Sequence, residues 1–280
     1  MTGNEKLKVT TNPKWLHDHL DEKNLRILDA RSRGAYRKAH IPGAVHADLF
    51  HYFVPGTDKK GLAQFHTDLT QRLGRIGLVG KETAIVYESE FGMRAARVAW
   101  MLEYAGMPRV FLLEGGFRAW KKARFRVEER EARPPTVQFH IRPCPKLLAT
   151  AGDILPARGV ILDVRSKSEF FGYESRECDE RKGRVPGSRW LEWSNFLDNA
   201  TKFRGRREMA DVLKQNTLGS NTRVVTYCHR GARAAAAFYA LRSLGFNNVR
   251  NYIGSWHEWS ARRHLPLEMG PVRTRVPRDS

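Results

Sequence analysis

Cysteine is scarce in this sequence. Its 280 residues include three, Cys144, Cys178 and Cys228. They form neither a CxxC pair nor a metal-ligand spacing, which excludes a disulfide framework or a zinc ribbon as the organising device. No metal and no cofactor are expected, and so few thiols suit a reducing compartment, with the cytoplasm as the expected location. Long apolar runs are missing as well. No stretch approaches the roughly eighteen apolar residues of a membrane-spanning helix, so no membrane partner is expected. The polar segment Met1 to Thr11 lacks the apolar centre of a secretory leader, and the mature chain is expected to start near residue 1. Acidic residues are outnumbered, 30 against 49 lysines and arginines, for a net charge of +19 and a pI of about 10.2. That balance raises the question of nucleic acid. The basic residues, however, are spread over both halves without an aromatic-interleaved stripe. The reading is a solvated basic surface that draws in small anions, with no nucleic-acid partner.

What the sequence does have is repetition. Ile27-Leu28-Asp29-Ala30-Arg31 returns as Ile161-Leu162-Asp163-Val164-Arg165, and His40-Ile41-Pro42-Gly43-Ala44 as Arg184-Val185-Pro186-Gly187-Ser188. Ala84-Ile85-Val86-Tyr87 returns as Val224-Val225-Thr226-Tyr227. Each of these last two is followed by a loop, an Ala/Arg-rich helical segment and a glycine, Gly106 or Gly245. The words around Trp120 return around Trp256 and Trp259, residues expected in the core. A period this long means a duplicated domain rather than a solenoid. Short apolar runs alternating with helical patterns, among them Pro13–Leu20, Thr67–Leu73, Arg94–Ala105 and Ala234–Leu244, predict an α/β fold with a parallel sheet in each half. The expected domains are residues 1–127 and 146–280. Residues 128–145, with Pro134-Pro135, Pro143 and Pro145, are expected to be a surface-crossing linker. The basic tail from Pro266 to Ser280 is expected to be poorly ordered or laid over the surface. Gly115-Gly116 reads as a turn, because no GxxxxGK[ST] phosphate loop accompanies it.

The chemistry concentrates at Cys228-His229-Arg230-Gly231-Ala232-Arg233-Ala234. A β-branched strand delivers a thiol to a loop, and a helix starts directly behind it. Free N–H groups at a helix start carry partial positive charge and favour an anion. Arg230 and Arg233 add full charges, the surroundings that stabilise a thiolate. Gly231 allows the backbone to fold round the sulfur.

These words together resemble the rhodanese sulfurtransferases of the tandem two-domain type over roughly residues 10–265. Tyr36-x-x-x-His40-Ile41-Pro42-Gly43-Ala44 matches that family's N-terminal signature. Val249-Arg250-Asn251-Tyr252-Ile253-Gly254-Ser255-Trp256-His257-Glu258-Trp259 matches its C-terminal signature, apart from Ile253, where a small or acidic residue is usual. Cys228 to Ala234 resembles its CxxGxx(A/S) loop. The resemblance implies two tandem rhodanese-like domains and a thiosulfate sulfurtransferase working through a persulfide on Cys228. It implies a small anionic sulfur donor, a cyanide or thiol acceptor with thioredoxin or a sulfur-carrier protein as further options, and a monomer. It makes Arg165, His229, Arg230, Gly231, Ala232 and Arg233 the substrate-binding set. Arg230 holds the position that is lysine in thiosulfate-using relatives and serine in mercaptopyruvate-using ones. Arg165 is expected to reach the pocket from another loop, which Asp163 anchors structurally rather than carrying a proton, and His229 to shape the Cys228 loop or donate a proton. In the first half Glu88 stands where the nucleophile belongs, so that copy is expected to be silent and to wall one side of an interdomain pocket.

Three rivals follow from the same residues. A 3-mercaptopyruvate sulfurtransferase normally carries small neutral loop residues, which Arg230 and Arg233 are not. A phosphatase of this fold needs Cys-x5-Arg, whereas the sixth residue after Cys228 is Ala234. A non-catalytic sulfur-carrier or regulatory module would have no use for the cysteine. Cys178, in the charged insertion 172–183 that the first repeat lacks, is expected to be an incidental exposed thiol, and Cys144 carries no chemical signal.

Overall fold

The computed structural model describes residues 8–156 and 159–271. The first half contains β1 (Thr10–Thr11), α1 (Pro13–Asp18), β2 (Leu25–Asp29), α2 (Arg33–Lys38), β3 (Val45–His46), α3 (Lys59–Arg75), β4 (Thr83–Tyr87), α4 (Met93–Tyr104), β5 (Arg109–Leu113) and α5 (Gly116–Lys122). The second contains β6 (Leu148–Ala149), α6 (Ala151–Ile154), β7 (Val160–Asp163), α7 (Lys167–Phe171), β8 (Arg189–Trp190), β9 (Leu197–Asp198), β10 (Lys202–Phe203), α8 (Arg206–Gln215), β11 (Val224–Tyr227), α9 (Ala232–Ser243), β12 (Val249–Tyr252) and α10 (Ser255–Ala261). The strand orders are β1-β5-β4-β2-β3 and β6-β12-β11-β7-β8, so one topology is used twice. Every pairing in the two sheets is parallel. Central strands of such sheets are covered on both faces and read as continuous apolar runs, as Ala84–Tyr87 and Val224–Tyr227 do.

Two helices join the halves. α4 and α9 pack against each other, and nine of the twelve residues of each are buried. A helix apolar all round belongs inside a core, and here Trp100, Met101 and Leu102 share one cluster with Phe238, Leu241 and Leu244. The Arg242 guanidinium pairs with Glu103 across that seam. Further ties lie at the edges. Phe91 N donates to Ala200 O at 2.9 Å, and Thr57 donates to the Glu258 carboxylate through N at 2.6 Å and Oγ1 at 2.7 Å.

The parallel-sheet fold and the duplication are as the sequence reading expects; several boundaries differ. α3 starts at Lys59, well before the expected Thr67, with Asp58 accepting from Gly61 N at 2.8 Å as its N-cap. Gly61 hides that start from a propensity reading, yet a Cβ there would come within 2.4 Å of Gly56 O, so close backbone approach demands glycine. α8 is an element the sequence pattern does not mark, and α9 begins at Ala232 rather than Ala234. Residues 128–145 do not run free. Val137 N bonds Gly74 O, Cys144 N bonds Tyr104 O, and Phe139 is buried against the first half. The tail is laid down at its start, where Arg184 and Glu268 pair backbones; residues 272–280 lie outside the described residues. No helix among the described residues is long and apolar enough to cross a membrane.

Candidate active site

β11 ends at Tyr227 and α9 starts at Ala232, leaving Cys228 to Gly231 as a tight loop at the strand's carboxyl end. Gly231 is the N-cap of α9 with φ +82, and a Cβ on it would press within 2.8 Å of Ile253, so only glycine closes the loop. Its N–H donates to Cys228 Sγ at 3.1 Å. The start of α10 holds the loop from behind. Trp256 N donates to Cys228 O at 2.9 Å, His257 N donates to His229 O at 3.0 Å, and Ser255 Oγ accepts from Cys228 N at 3.1 Å while donating to Tyr252 O at 2.7 Å. Ser255 is fully buried and has φ +53, a left-handed conformation that costs a non-glycine residue energy and is held by those bonds. Cys228 is 1% exposed, with its sulfur turned to the helix start.

The cations near that sulfur are arranged differently from the expectation. Arg165 does not reach the pocket. Its guanidinium is buried, forked onto Asp163 at 2.6–3.1 Å and bonded to Gly183 O at 2.8 Å. Trp256 covers it, the ring centroid 4.8 Å away. The same construction, Arg31 on Asp29 and on Ala39 O, occupies the first half, which marks the pair as part of the scaffold. Arg233 lies near the sulfur, but its fork is engaged with Glu169 at 2.6 and 2.8 Å. Burial pushes the Glu169 carboxyl up, the Arg233 guanidinium outweighs it, and the result is a value of about 2. His229 points away from the sulfur, with Nε2 2.9 Å from Asp179 Oδ1. Arg230 leans over the ring of Phe53, 4.3 Å from its centroid, with Nη2 3.1 Å from His257 Nε2. Gly231 and Ala232 are where the sequence puts them, at the helix start.

Sequence reasoning missed the cation that the first half contributes. Arg97, on α4, is 1% exposed and donates to Arg230 O at 2.7 Å and to Tyr52 O at 2.6 Å. Burial pushes its pKa down to about 10, and the nearby Cys228 works in the opposite direction. Neither Arg97 nor Arg230 has a carboxylate partner among the described residues, and the Nε atom of each is buried without a hydrogen-bond acceptor. Both line an interdomain cavity of about 230 Å³ with Phe53, Gly254 and His257; Asp58 and Glu258 also line it, and both pair with Arg262. Cys228 lies behind that wall rather than on it. Two unpaired guanidinium groups on one small cavity make an anion site. The one signal available in the sequence was an arginine in an otherwise apolar helical segment, Ala95 to Leu102.

The corresponding loop of the first half is filled by its own side chain. Glu88 accepts from Arg94 N at 2.9 Å and Ala95 N at 3.0 Å, so a carboxylate occupies the amides that an incoming anion would use. Burial raises the pKa of that carboxyl, and the two N–H groups partly offset the rise.

Comparison with known proteins agrees with this geometry. The rhodanese-like domain family matches twice, over residues 12–123 and 147–262. The chain belongs to the rhodanese-like family, as a tandem pair of its domains. It is 28% identical over 268 residues to the thiosulfate sulfurtransferase of Pseudomonas aeruginosa, covering 94% of this chain and 98% of that protein. It is 27% identical over 288 residues to the 3-mercaptopyruvate sulfurtransferase of Escherichia coli K12, covering 92% and 96%. A crystal structure described as a Probable Thiosulfate Sulfurtransferase superposes with a TM-score of 0.74 at 31% identity, over 88% of this chain and 98% of that one. Wild-type EanB shares the fold, with a TM-score of 0.84 at 23% identity over 97% of this chain and 72% of that one.

Proposed function

We propose that the protein is a sulfurtransferase that takes sulfane sulfur from thiosulfate and carries it as a persulfide on Cys228. The observation that carries this reading is the Cys228 sulfur at the amide of Gly231, next to a cavity holding two guanidinium groups without counter-ions. A dianionic donor supplies the missing charge. The Cys228 thiolate attacks the outer sulfur of thiosulfate, the new S–S bond forms as the old one breaks, and sulfite leaves with the bonding pair. Helix-start N–H groups stabilise the persulfide anion. A thiophilic acceptor, cyanide or a thiol, then attacks the outer sulfur and Cys228 leaves as thiolate. Thioredoxin or a sulfur-carrier protein is the protein-sized version of that acceptor.

Arg97 and Arg230 are the groups that hold the sulfonate; Arg233 contributes its charge while tied to Glu169. Arg165, fixed on Asp163, supports the loop without touching substrate. The α4–α9 seam lets each half bury the other, which supports a working monomer. 3-Mercaptopyruvate is the second reading, because a similar protein is named for it and one carboxylate also suits two guanidinium groups. The test is kcat/KM for the two donors with cyanide as acceptor. A higher value for thiosulfate is expected; a higher value for 3-mercaptopyruvate overturns the choice of donor.

A further inference from the structure

Beside the reactive loop, three separate segments bring four metal-binding side chains to one point. Cys178 and Asp179 come from the 172–183 insertion, His229 from the loop and His257 from α10, with one ligand atom of each within 4.8 Å of all the others. Asp179 Oδ1 is 2.9 Å from His229 Nε2 and 3.5 Å from His257 Nδ1, and Cys178 Sγ is 3.7 Å from His229 Nε2. Ligand atoms round a tetrahedral zinc ion, with bonds of about 2.0–2.3 Å, stand about 3.3–3.8 Å apart. The two longer of these three separations lie in that range, and the remaining pairs, within 4.8 Å, close in on the ion. The short one is a hydrogen bond that opens slightly once an ion replaces its proton.

The insertion is fixed without any ion. The Arg181 guanidinium donates to the carbonyls of Trp259, Ser260, Arg262 and Leu265 at 2.8–2.9 Å, and Trp256 Nε1 donates to Arg181 O at 3.0 Å. Cys178 and Asp179 are therefore presented by a segment clamped to the end of α10. The cysteine is exposed, which gives an ion a way in, and the Asp179 side chain is 2% exposed.

We propose that Cys178 Sγ, Asp179 Oδ1, His229 Nε2 and His257 Nδ1 bind one divalent cation of the zinc class. A thiolate and two imidazoles select a borderline-soft ion over magnesium or calcium. Thiolate plus carboxylate neutralise its two charges, which lets it sit near Arg230. The cysteine spacings do not show this site because its ligands are scattered over three segments, two of them supplying no cysteine. His229 directly follows Cys228, so loading fixes the loop that carries the nucleophile.

The probe is Co²⁺, then Zn²⁺, titrated into the full chain after chelator treatment. One equivalent of Co²⁺ should give the visible bands of a tetrahedral ion and a near-ultraviolet thiolate charge-transfer band, both removed by Zn²⁺. Cys178→Ser, at an exposed position, should lose the charge-transfer band; Cys228→Ser should keep it. Zn²⁺ should raise the Tm of the wild type and leave that of His257→Ala unmoved. Failure of the wild type to bind one equivalent, survival of the band in Cys178→Ser, or its loss in Cys228→Ser overturns the proposal. These readouts involve no sulfur donor, so they stand or fall separately from the sulfurtransferase reading.

Discussion

Arg97 of the first half donates through Nη1 to the carbonyl oxygen of Arg230 in the second half, at 2.7 Å. A side chain from the first repeat thus fixes the backbone of the Cys228 loop in the second. With Nη2 on Tyr52 O, its Nε is left buried and without an acceptor, beside a cavity shared with Arg230. The first half therefore supplies one of the two guanidinium groups on that cavity that have no carboxylate partner among the described residues.

Arg97→Met should lower kcat/KM for thiosulfate by roughly 10- to 150-fold, the equivalent of about 1.5–3 kcal/mol for a lost charged hydrogen bond. Most of the loss should fall on KM. Arg97→Lys should rescue little, because an ammonium cannot span two carbonyls as a guanidinium fork does. Steady-state kinetics with both variants checks this.

Arg165→Ala should act on stability instead. It leaves Asp163 buried and uncompensated, which costs about 3–5 kcal/mol, while the KM of the protein that remains folded changes little. Urea denaturation paired with kinetics at low denaturant separates the two. A large rise in KM without loss of stability would return Arg165 to the substrate.

Ser255→Ala should leave Cys228 N without its acceptor, at about 1–3 kcal/mol for an unsatisfied buried donor. Ser255→Gly relieves the positive φ but loses the same bond, so it should be the less damaged of the two. Thermal melts rank them.

The Arg233–Glu169 pair predicts an acid limb of stability. The folded Glu169 carboxyl is held at about 2, below its ordinary 4.5, by Arg233 against the opposing effect of burial. A depressed acid pKa contributes stability that is complete above the unfolded value and is lost as pH falls from 4.5 towards 2. The amount is on the order of 3 kcal/mol. Glu169→Gln should flatten that part of the stability–pH curve, measured by denaturant midpoints.

Much of this molecule was legible in its sequence because parallel sheets write themselves as apolar runs. Ile27-Leu28-Asp29 and Ile161-Leu162-Asp163, Ala84–Tyr87 and Val224–Tyr227 all fall in strands. The Cys228 loop, too, lies at a strand's end with a helix behind it. What stayed hidden depends on which side chain pairs with which. Arg165 and Arg230 look equally available as charges in a string of letters, yet Asp163 consumes one and the other faces a cavity. Arg97 sits 131 residues from Cys228 and is brought near it by the packing of α4 on α9, and Glu88 fills its own loop by occupying the Arg94 and Ala95 amides. Cys178, Asp179, His229 and His257 show no ligand spacing, because they lie on three separate segments that only the fold brings together.

The most direct measurement is intact-protein mass spectrometry after thiosulfate treatment and desalting, followed by peptide mapping. The wild type should gain one sulfur atom, mapped to Cys228 and removed by cyanide, and Cys228→Ser should gain none. An unmodified wild type, or sulfur found on Cys178 or Cys144 instead, would contradict the account.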